Sequence, residues 1–346
     1  TCALPIFTVI IPHWNGIEIL EPCLRSLEAT KYDHLEIVVV DNASSDDSVA
    51  FVHREFPNVK VIQNTENLGF AGGCNVGLRE VESDYYLVLN NDTTHDSDWI
   101  SPLVEQMEID SSIAAVQPKI MSAQNPEVFD YAGGVGGLID ILAFPYALGR
   151  IFTTTEKDDG YYDIPRDIFW ASGTALLIRG AALQDVGLFD EDFFAHMEEI
   201  DLCWRFHNAG WRVVNAPKSR IFHHSGWTLP PDRYQKKYLN HRNNLMMIIK
   251  NYPFAYLAAI FPARLVLEGV AFVFSALIRD WKRMAAITMA IGWNLFHPFL
   301  LIKKHKEAGK KRKPQAVAAT LRRMYGGSIF FQYFIRGQKR ARDIEV

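Results

Sequence analysis

The chain has 346 residues, 49% hydrophobic and 12% aromatic, enough for a substantial core in one large domain or two ordinary ones. Its four cysteines, Cys2, Cys23, Cys74 and Cys203, stand far apart without a CxxC pair. That spacing argues against a zinc site or a disulfide framework and fits a reducing compartment. The net charge of −4 conceals an asymmetry: Lys303 to Val346 carries 13 Lys/Arg against 3 Asp/Glu, a net of +10, which leaves −14 on the preceding 302 residues. An acidic body with a basic tail predicts an anionic surface as partner of the tail. The chain opens on Thr1 with no visible secretory signal, so at least an initiator Met is expected ahead of it.

Phe7 to Pro12 (FTVIIP) reads as a first strand, its unbroken apolar run predicting burial on both faces. A loop, His13-Trp14-Asn15-Gly16, leads to a helix with Leu20, Leu24 and Leu27 on one side and Pro22 in its first turn. Leu35 to Val40 is a second strand running into Asp41 and a Ser/Asp-rich stretch that suits a helix cap. Val59 to Gln63 is a third strand. Asn64 to Gly77 is glycine-rich and enters a helix through Leu78. It does not match GxGxxG placed after the first strand, which disfavours a dinucleotide fingerprint. Its glycines serve either close helix–sheet packing or backbone approach to a ribose or phosphate. The alternation of strand and helix predicts a three-layer α/β sandwich.

Tyr85 to Leu89 is a short apolar strand that ends in Asn90-Asn91-Asp92. Ligands of open α/β sheets bind outside the carboxyl ends of the strands. Asp92 there offers hard oxygen to a divalent cation that substrate phosphates would complete; the plainer reading is a turn. A helix is expected from Ser97-Asp98 to about Ile109, and a strand over Ile113 to Gln117. Tyr131 to Gly137 reads as a hairpin or flexible loop, residues 143–163 as a surface loop, and Ile168 to Arg179 as a strand at each end with Ser172-Gly173 between. The helix that opens Glu198-Glu199-Ile200-Asp201 ends near Gly210, a C-cap candidate. Its acids suit the dipole of a first turn. Val213-Val214 is a strand, followed by His223.

Beyond Pro230-Pro231 the character changes. Tyr238 to Asn251 is helical. Phe254 to Ile278 and Met284 to Ile302 are apolar, the first interrupted by Arg264 and Glu268, the second by Pro298. Charges four apart on one face do not suit a lipid-exposed span. These segments are read as helices lying in the membrane interface or packed together there, with the Lys303 to Lys313 cluster on anionic headgroups; the plainer reading is an ordinary helical subdomain with a solvated basic face. No aromatic–basic platform accompanies the tail, so nucleic acid is not expected as a partner.

Taken in order, TVIIPHWNG, VVVDNASSDDS, NLGFAGGCNVG, LVLNNDT, and FDEDFFAHMEEIDLCWR with FHHSGWTLP resemble the family 2 glycosyltransferases of the GT-A fold, in particular the rhamnosyltransferase-like branch acting on bacterial surface polysaccharides. The resemblance spans about Phe7 to Asn251. It implies a mostly parallel twisted sheet in an α/β/α sandwich with a C-terminal helical, membrane-associating extension. The transferase domain would occupy residues 1–235, with nucleotide binding in residues 1–120 and acceptor binding in residues 121–235; the apolar and basic helices would occupy 236–346. Position by position, it implies that Asp41 accepts the imide N–H of a uracil or thymine base, and that Pro12, Asn15, Asn67, Gly69 and Phe70 wall the nucleoside pocket. Asn90-Asn91-Asp92 falls where the family has DXD, with Asn in place of the first Asp. Asp92 and His223 would then hold Mn²⁺ or Mg²⁺, the imidazole favouring Mn²⁺. Glu199, the second residue of an acidic pair with Glu198, falls where the family has its general base; Asp201 is a further candidate on the same helix. Trp170, Ser172 and Gly173 resemble the wall between donor and acceptor. No QxxRW follows, which suits transfer of one or a few sugars rather than a polymer.

The activity so implied is inverting, metal-dependent transfer of a hexosyl or rhamnosyl unit from a UDP- or dTDP-linked sugar to a glycan or lipid-linked acceptor, cytoplasmic or at the cytoplasmic face of the inner membrane. Loops 131–165 and 225–240 would choose sugar and acceptor. The rival expectation is a non-catalytic nucleotide-sugar-binding scaffold of a glycan assembly complex, for which Asn90 is the best argument. A nucleotidyltransferase would need a basic triphosphate loop after the first strand, and HWNGIEIL has no Lys or Arg.

Overall fold

The computed structural model describes residues 6–224 and 233–344. Cys2, Pro230-Pro231, the Ser225 to Pro230 portion of the histidine motif and the start of the 225–240 loop lie outside the described residues. Strand and helix alternate from the start: β1 (Phe7–His13), α1 (Ile17–Glu28), β2 (Leu35–Asp41), α2 (Ser48–Glu55), β3 (Lys60–Gln63), α3 (Gly69–Glu80) and β4 (Tyr85–Leu89). Then come β5 (Thr93–His95), α4 (Ile100–Glu108), β6 (Ile113–Ser122), four short strands β7 (Gly137–Ile139), β8 (Pro145–Ala147), β9 (Arg150–Ile151) and β10 (Thr154–Thr155), then β11 (Ala175–Arg179), α5 (Gly180–Val186), α6 (Glu198–Asn208) and β12 (Arg212–His223).

The main sheet runs β3-β2-β1-β4-β11-β6-β12-β5. It is parallel between β3, β2, β1 and β4 and between β6 and β12, whereas β11 is antiparallel to both its neighbours. In register, His13 lies beside Asp41 and Asp41 beside Gln63, so the carboxyl ends of β1, β2 and β3 finish at one level. Both faces are covered. Ile10, Val38, Val40 and Val88 pack with Ala71, Cys74 and Leu78 of α3, while Val9, Ile11, Val39 and Leu87 pack with Leu20, Leu24 and Leu27 of α1 and Leu103 and Met107 of α4. Period-two strands apolar on both sides require this three-layer arrangement.

Several expectations need correction. Gly16, at φ 96, starts α1 at Ile17, so Pro22 lies inside the helix and not in its first turn. Residues 143–163 are not a loose surface loop: β7 to β10 form a small antiparallel sheet and bury Tyr146, Leu148, Ile151 and Tyr162. Strands of two or three residues are too short to show a period. In the segment Ile168 to Arg179 only the second half is a strand; the first half makes single bridges, Asp167 to Val214 and Trp170 to Gly137. β6 and β12 extend well beyond the predicted runs. Their prolines, Pro118 and Pro217, fall at an irregularity where the register slips between Ala216 and Arg220, as proline requires in a ladder.

Among the described residues six α-helices follow: α7 (Tyr234–Asn251), α8 (Phe254–Leu277), α9 (Trp281–Phe296), α10 (Pro298–Lys311), α11 (Pro314–Arg322) and α12 (Ile329–Phe334). Among the described residues α8 is long and apolar enough to cross a membrane, while α9 and α10 pass that test only as a pair bent by 74°. Arg264 and Glu268 of α8 form a buried ion pair of 2.8 Å, with His241 Nδ1 at 2.7 Å from the same carboxylate. This polar edge faces α7, and Val266, Val270, Val273, Phe274 and Leu277 are exposed. Lys303, Lys306, Lys310 and Lys311 are exposed, but Lys304 turns inward. The chain after α11 returns to the small sheet: Tyr325 N–H donates to Ile139 O at 2.9 Å, and Arg342 pairs with Asp159 at 2.6 Å.

Candidate active site

At the carboxyl ends of β1 and β2, two loops are stitched together by side chains. Asp41 is buried, and its carboxylate accepts the Ser44 N–H at 3.2 Å. Asn15, at φ 55, donates its N–H to Ser44 Oγ (2.9 Å) and accepts from Ser45 N–H (2.8 Å). Asn42, also buried, donates to Gly69 O (3.0 Å) and accepts from Asn64 (2.9 Å). Asn67 accepts the Gly69 N–H at 2.9 Å at the head of α3. The glycine-rich stretch is first a packing device. A Cβ on Gly77 would lie 2.6 Å from Ile10 Cγ2, one on Gly73 would lie 2.8 Å from Asn42 Nδ2 and 3.1 Å from Pro12 Cβ, and one on Gly69, at φ 71, would collide with Phe194 O. Pro12, Asn15, Asp41, Asn67 and Gly69 thus belong to one bonded rim.

β4 ends at Leu89, and Asn90 N–H donates to Thr174 O at 3.0 Å. Asn91 is buried with its amide at 2.8 Å from His13 Nδ1, so it braces β1 from within. His13 was not among the expected site residues. Its Nε2 is buried without a partner, and burial lowers its pKa. The clue was available: a histidine closing the first strand, level with Asp41.

Asp92 and His223 do meet. Asp92 Oδ1 lies 3.1 Å from His223 Nε2, and His223 Nδ1–H donates to Asp130 Oδ1 at 2.8 Å. Asp92 Oδ1 has no hydrogen bond of proper angle. Burial acts to raise the Asp92 carboxyl, but the imidazole outweighs it and holds the group below the usual carboxylate range. Burial acts to lower His223, but Asp92 and Asp130 outweigh it and raise the imidazole to about 10. An imidazole whose far nitrogen is held by a carboxylate is the usual setting of a metal-ligating histidine. The pair therefore fits a divalent cation. Among the described residues no cluster of three or more His, Cys, Asp or Glu does so; water and phosphate oxygen are suited to add ligands to such a pair. Asp130 was missed as well. It stands 93 positions before His223 and adjoins the Tyr131 to Gly137 segment.

The acidic helix enters through a strained turn. Phe194, His196 and Met197 have φ of 63, 70 and 73, a region non-glycine residues avoid. Glu199 is partly exposed and Glu198 buried, and each has an Oε2 with no hydrogen-bond partner. Burial raises Glu199 to about 7. Burial, then the charge of Glu199, pushes Glu198 well above its usual value. The two carboxyls therefore hold protons more tightly than free ones do and titrate as a pair. Asp201 is excluded as a base: wholly buried, it is committed to Arg205 (2.9 Å), Lys250 (2.8 Å) and Asn251 (2.7 Å). A Cβ on Gly173 would touch Phe70 Cζ at 3.0 Å and Glu199 Cβ at 3.9 Å. Gly173 precedes Thr174, whose carbonyl holds Asn90, so the acid pair and the Asn90-Asn91-Asp92 strand end flank one segment. Of the expected wall only Gly173 borders them. Trp170 is buried with Nε1 on Leu138 O (2.8 Å), and Ser172 Oγ is bonded to Ala132 O. A cavity of about 500 Å³ lies at the other end of α6, lined by His207, Arg212, Lys313 and Arg323, away from these carboxylates.

The chain is similar to known proteins in sequence and in fold. Residues 8–160 match the family described as "Glycosyl transferase family 2" and residues 85–303 the "Glycosyl transferase family group 2". N-acetylglucosaminyl-diphospho-decaprenol L-rhamnosyltransferase of Mycobacterium tuberculosis is 24% identical over 265 residues, covering 72% of this chain and 84% of that protein. Poly-beta-1,6-N-acetyl-D-glucosamine synthase of Staphylococcus aureus is 25% identical over 227 residues, covering 65% of this chain but only 50% of the synthase. The crystal structure of GalNAc-T7 with UDP, GalNAc and Mn²⁺ superposes with a TM-score of 0.61 at 15% identity, over 85% of this chain and 58% of that one, a likeness of fold. With its rhamnosyltransferase-like motifs in order on a GT-A sheet, the chain belongs to the family 2 glycosyltransferases.

Proposed function

We propose that this protein transfers a hexosyl or rhamnosyl unit, with inversion, from a UDP- or dTDP-linked sugar to a hydroxyl of a glycan or lipid-linked acceptor in the synthesis of a bacterial surface polysaccharide. The relatives named above, one acting on a lipid diphosphate and one making a polysaccharide, support that substrate class. The observation that carries the reading is that Glu199 borders Gly173 while Asn90, two residues before the His223-paired Asp92, donates to the carbonyl of the adjoining Thr174.

In this reading Asp41, with Asn15 and the Asn67–Phe70 turn, receives the nucleoside. Asp92 and His223 hold Mn²⁺ or Mg²⁺, and Asp130 fixes the imidazole. Bound there, the cation supplies positive charge to a departing diphosphate. Glu199 takes the proton from the acceptor hydroxyl as its oxygen attacks the anomeric carbon from the face opposite the nucleotide. Glu198, kept protonated, limits negative charge beside it. The 1–235 portion carries this chemistry. The exposed face of α8 with Phe299, Ile302 and the lysines of α10 rests on the cytoplasmic face of the membrane, where apolar area and a basic flank add.

The test is a thermal-shift screen of UDP- and dTDP-sugars with and without Mn²⁺, followed by transfer to a lipid-diphosphate N-acetylglucosamine acceptor. A donor that stabilises the protein only with Mn²⁺, and is then transferred with inversion, supports the reading. Retention of configuration, or stabilisation by no nucleotide sugar, contradicts it.

A further inference from the structure

We propose that Asn243 of α7 and Lys304 of α10 are positioning residues for Glu199: the helices that follow the transferase domain hold the turn before α6 in the strained form that presents the base. This rests on the assignment of Glu199 above. The turn has three residues in the left-handed region within four positions, Phe194, His196 and Met197, and no glycine to ease them. Such a backbone persists only where its surroundings over-determine it.

Asn243 supplies much of that constraint. It is wholly buried, and its Nδ2 lies 2.9 Å from Phe193 O, 2.9 Å from Ala195 O and 2.7 Å from His196 O. Its orientation is fixed, because Oδ1 accepts from Arg242 Nε at 2.8 Å. Arg242 in turn donates to Asp192 O (2.6 Å) and Phe193 O (3.1 Å). Carbonyls turned out of a regular ladder by positive φ need donors, and this helix provides them.

Lys304 of α10 grips the two aspartates that lead into this turn. Its ammonium lies 2.6 Å from Asp190 and 2.6 Å from Asp192, and Lys250 joins Asp190 (2.7 Å) to Asp201 of α6 (2.8 Å). On the opposite side α3 holds it: Ala71 N–H donates to Phe194 O at 3.1 Å, and Asn75 exchanges hydrogen bonds with Phe189. The turn is therefore clamped between the glycine-rich helix and the C-terminal helices. Neighbours of Lys304 on α10, Phe299, Ile302, Lys303 and Lys306, are exposed. One helix thus carries an outward apolar and basic face and an inward lysine bonded to the aspartates that lead into the turn bearing the base.

The experiment uses the full chain and the variants Asn243→Asp, Lys304→Met and Lys304→Arg. Transfer from dTDP-rhamnose or a UDP-sugar is measured with Mn²⁺, together with the Kd of UDP and of dTDP. Asn243→Asp is expected to lower kcat about 30-fold or more and Lys304→Met about tenfold, with donor KM and nucleotide Kd within about twofold, because a displaced catalytic group costs turnover rather than donor binding. Lys304→Arg is expected to recover most of the loss. A kcat within about twofold of the parent in Lys304→Met, or losses of kcat and nucleotide affinity in equal measure, overturns the proposal. If Asn243→Asp does not fold, the Lys304 pair decides. Amide hydrogen exchange keeps this proposal apart from the assignment of function. Faster exchange at 195–200 with none at 41–47 in Lys304→Met supports the clamp even if no donor is turned over, and unchanged exchange at 195–200 overturns it.

Discussion

Glu199 rests its Cβ against Gly173, where a methyl group on the glycine would sit 3.9 Å from the glutamate and 3.0 Å from Phe70 Cζ. The absent side chain leaves the space between the aromatic ring and the base. Gly173→Ala is expected to fold, since the ring end has only to yield slightly, and to lower kcat by a few-fold. Gly173→Val, which fills the gap, is expected to lower it at least about tenfold. Steady-state kinetics check this.

Glu199 is raised to about 7 by burial, and the proposed base works when ionised. The rate should therefore climb with pH, with unit slope up to about 7, and level above it. Glu199→Gln should lose that limb together with at least about 100-fold in kcat, while UDP or dTDP still raises its Tm. A pH profile of kcat/KM on parent and variant checks the assignment.

Glu198 is pushed above its usual value, so the folded chain binds its proton more tightly than the unfolded chain does. Stability from that proton is fully present below the unfolded pKa and is lost as pH rises through the folded one. Glu198→Gln lacks the carboxylate. It should melt higher than the parent at pH 8, and the difference should vanish near pH 4. Melting curves across that range decide it.

Removing the cation seat should affect the nucleotide rather than the fold. Asp92→Asn and His223→Gln are expected to abolish the Mn²⁺ dependence of UDP or dTDP affinity. Asp130→Asn, which leaves the imidazole in place without its carboxylate, should weaken Mn²⁺ about tenfold or more. Titrations at matched ionic strength measure each.

The sequence foretold most readily what is local and continuous. FTVIIP, LEIVVV and YYLVL are apolar on both alternating faces, and the sheet covers both faces of each. Asp92 was legible from its place at a strand end, but its pairing with His223, 131 residues on, only through the family pattern, and the structure brings the two to 3.1 Å. Asp130 was not legible, because its link to His223 joins residues 93 positions apart with no motif around the aspartate. Asn243 was hidden inside YLNHRNNLMM, where its neighbours are polar too and nothing marks the one asparagine that is wholly buried. The small sheet of β7 to β10 escaped for a different reason: its strands have two or three residues each, less than one repeat of any pattern. The inward turn of Lys304 was lost among the lysines around it, since charge counting treats them alike.

The central claim is that a cation held by Asp92 and His223 and a base at Glu199 serve one bound sugar. Anomalous diffraction from crystals of the Glu199→Gln protein grown with Mn²⁺ and its donor nucleotide sugar tests it directly. The account predicts manganese bonded to Asp92, His223 and the diphosphate, with the anomeric carbon facing residue 199 across Gly173. Manganese bound elsewhere, or a sugar turned away from residue 199, would contradict it.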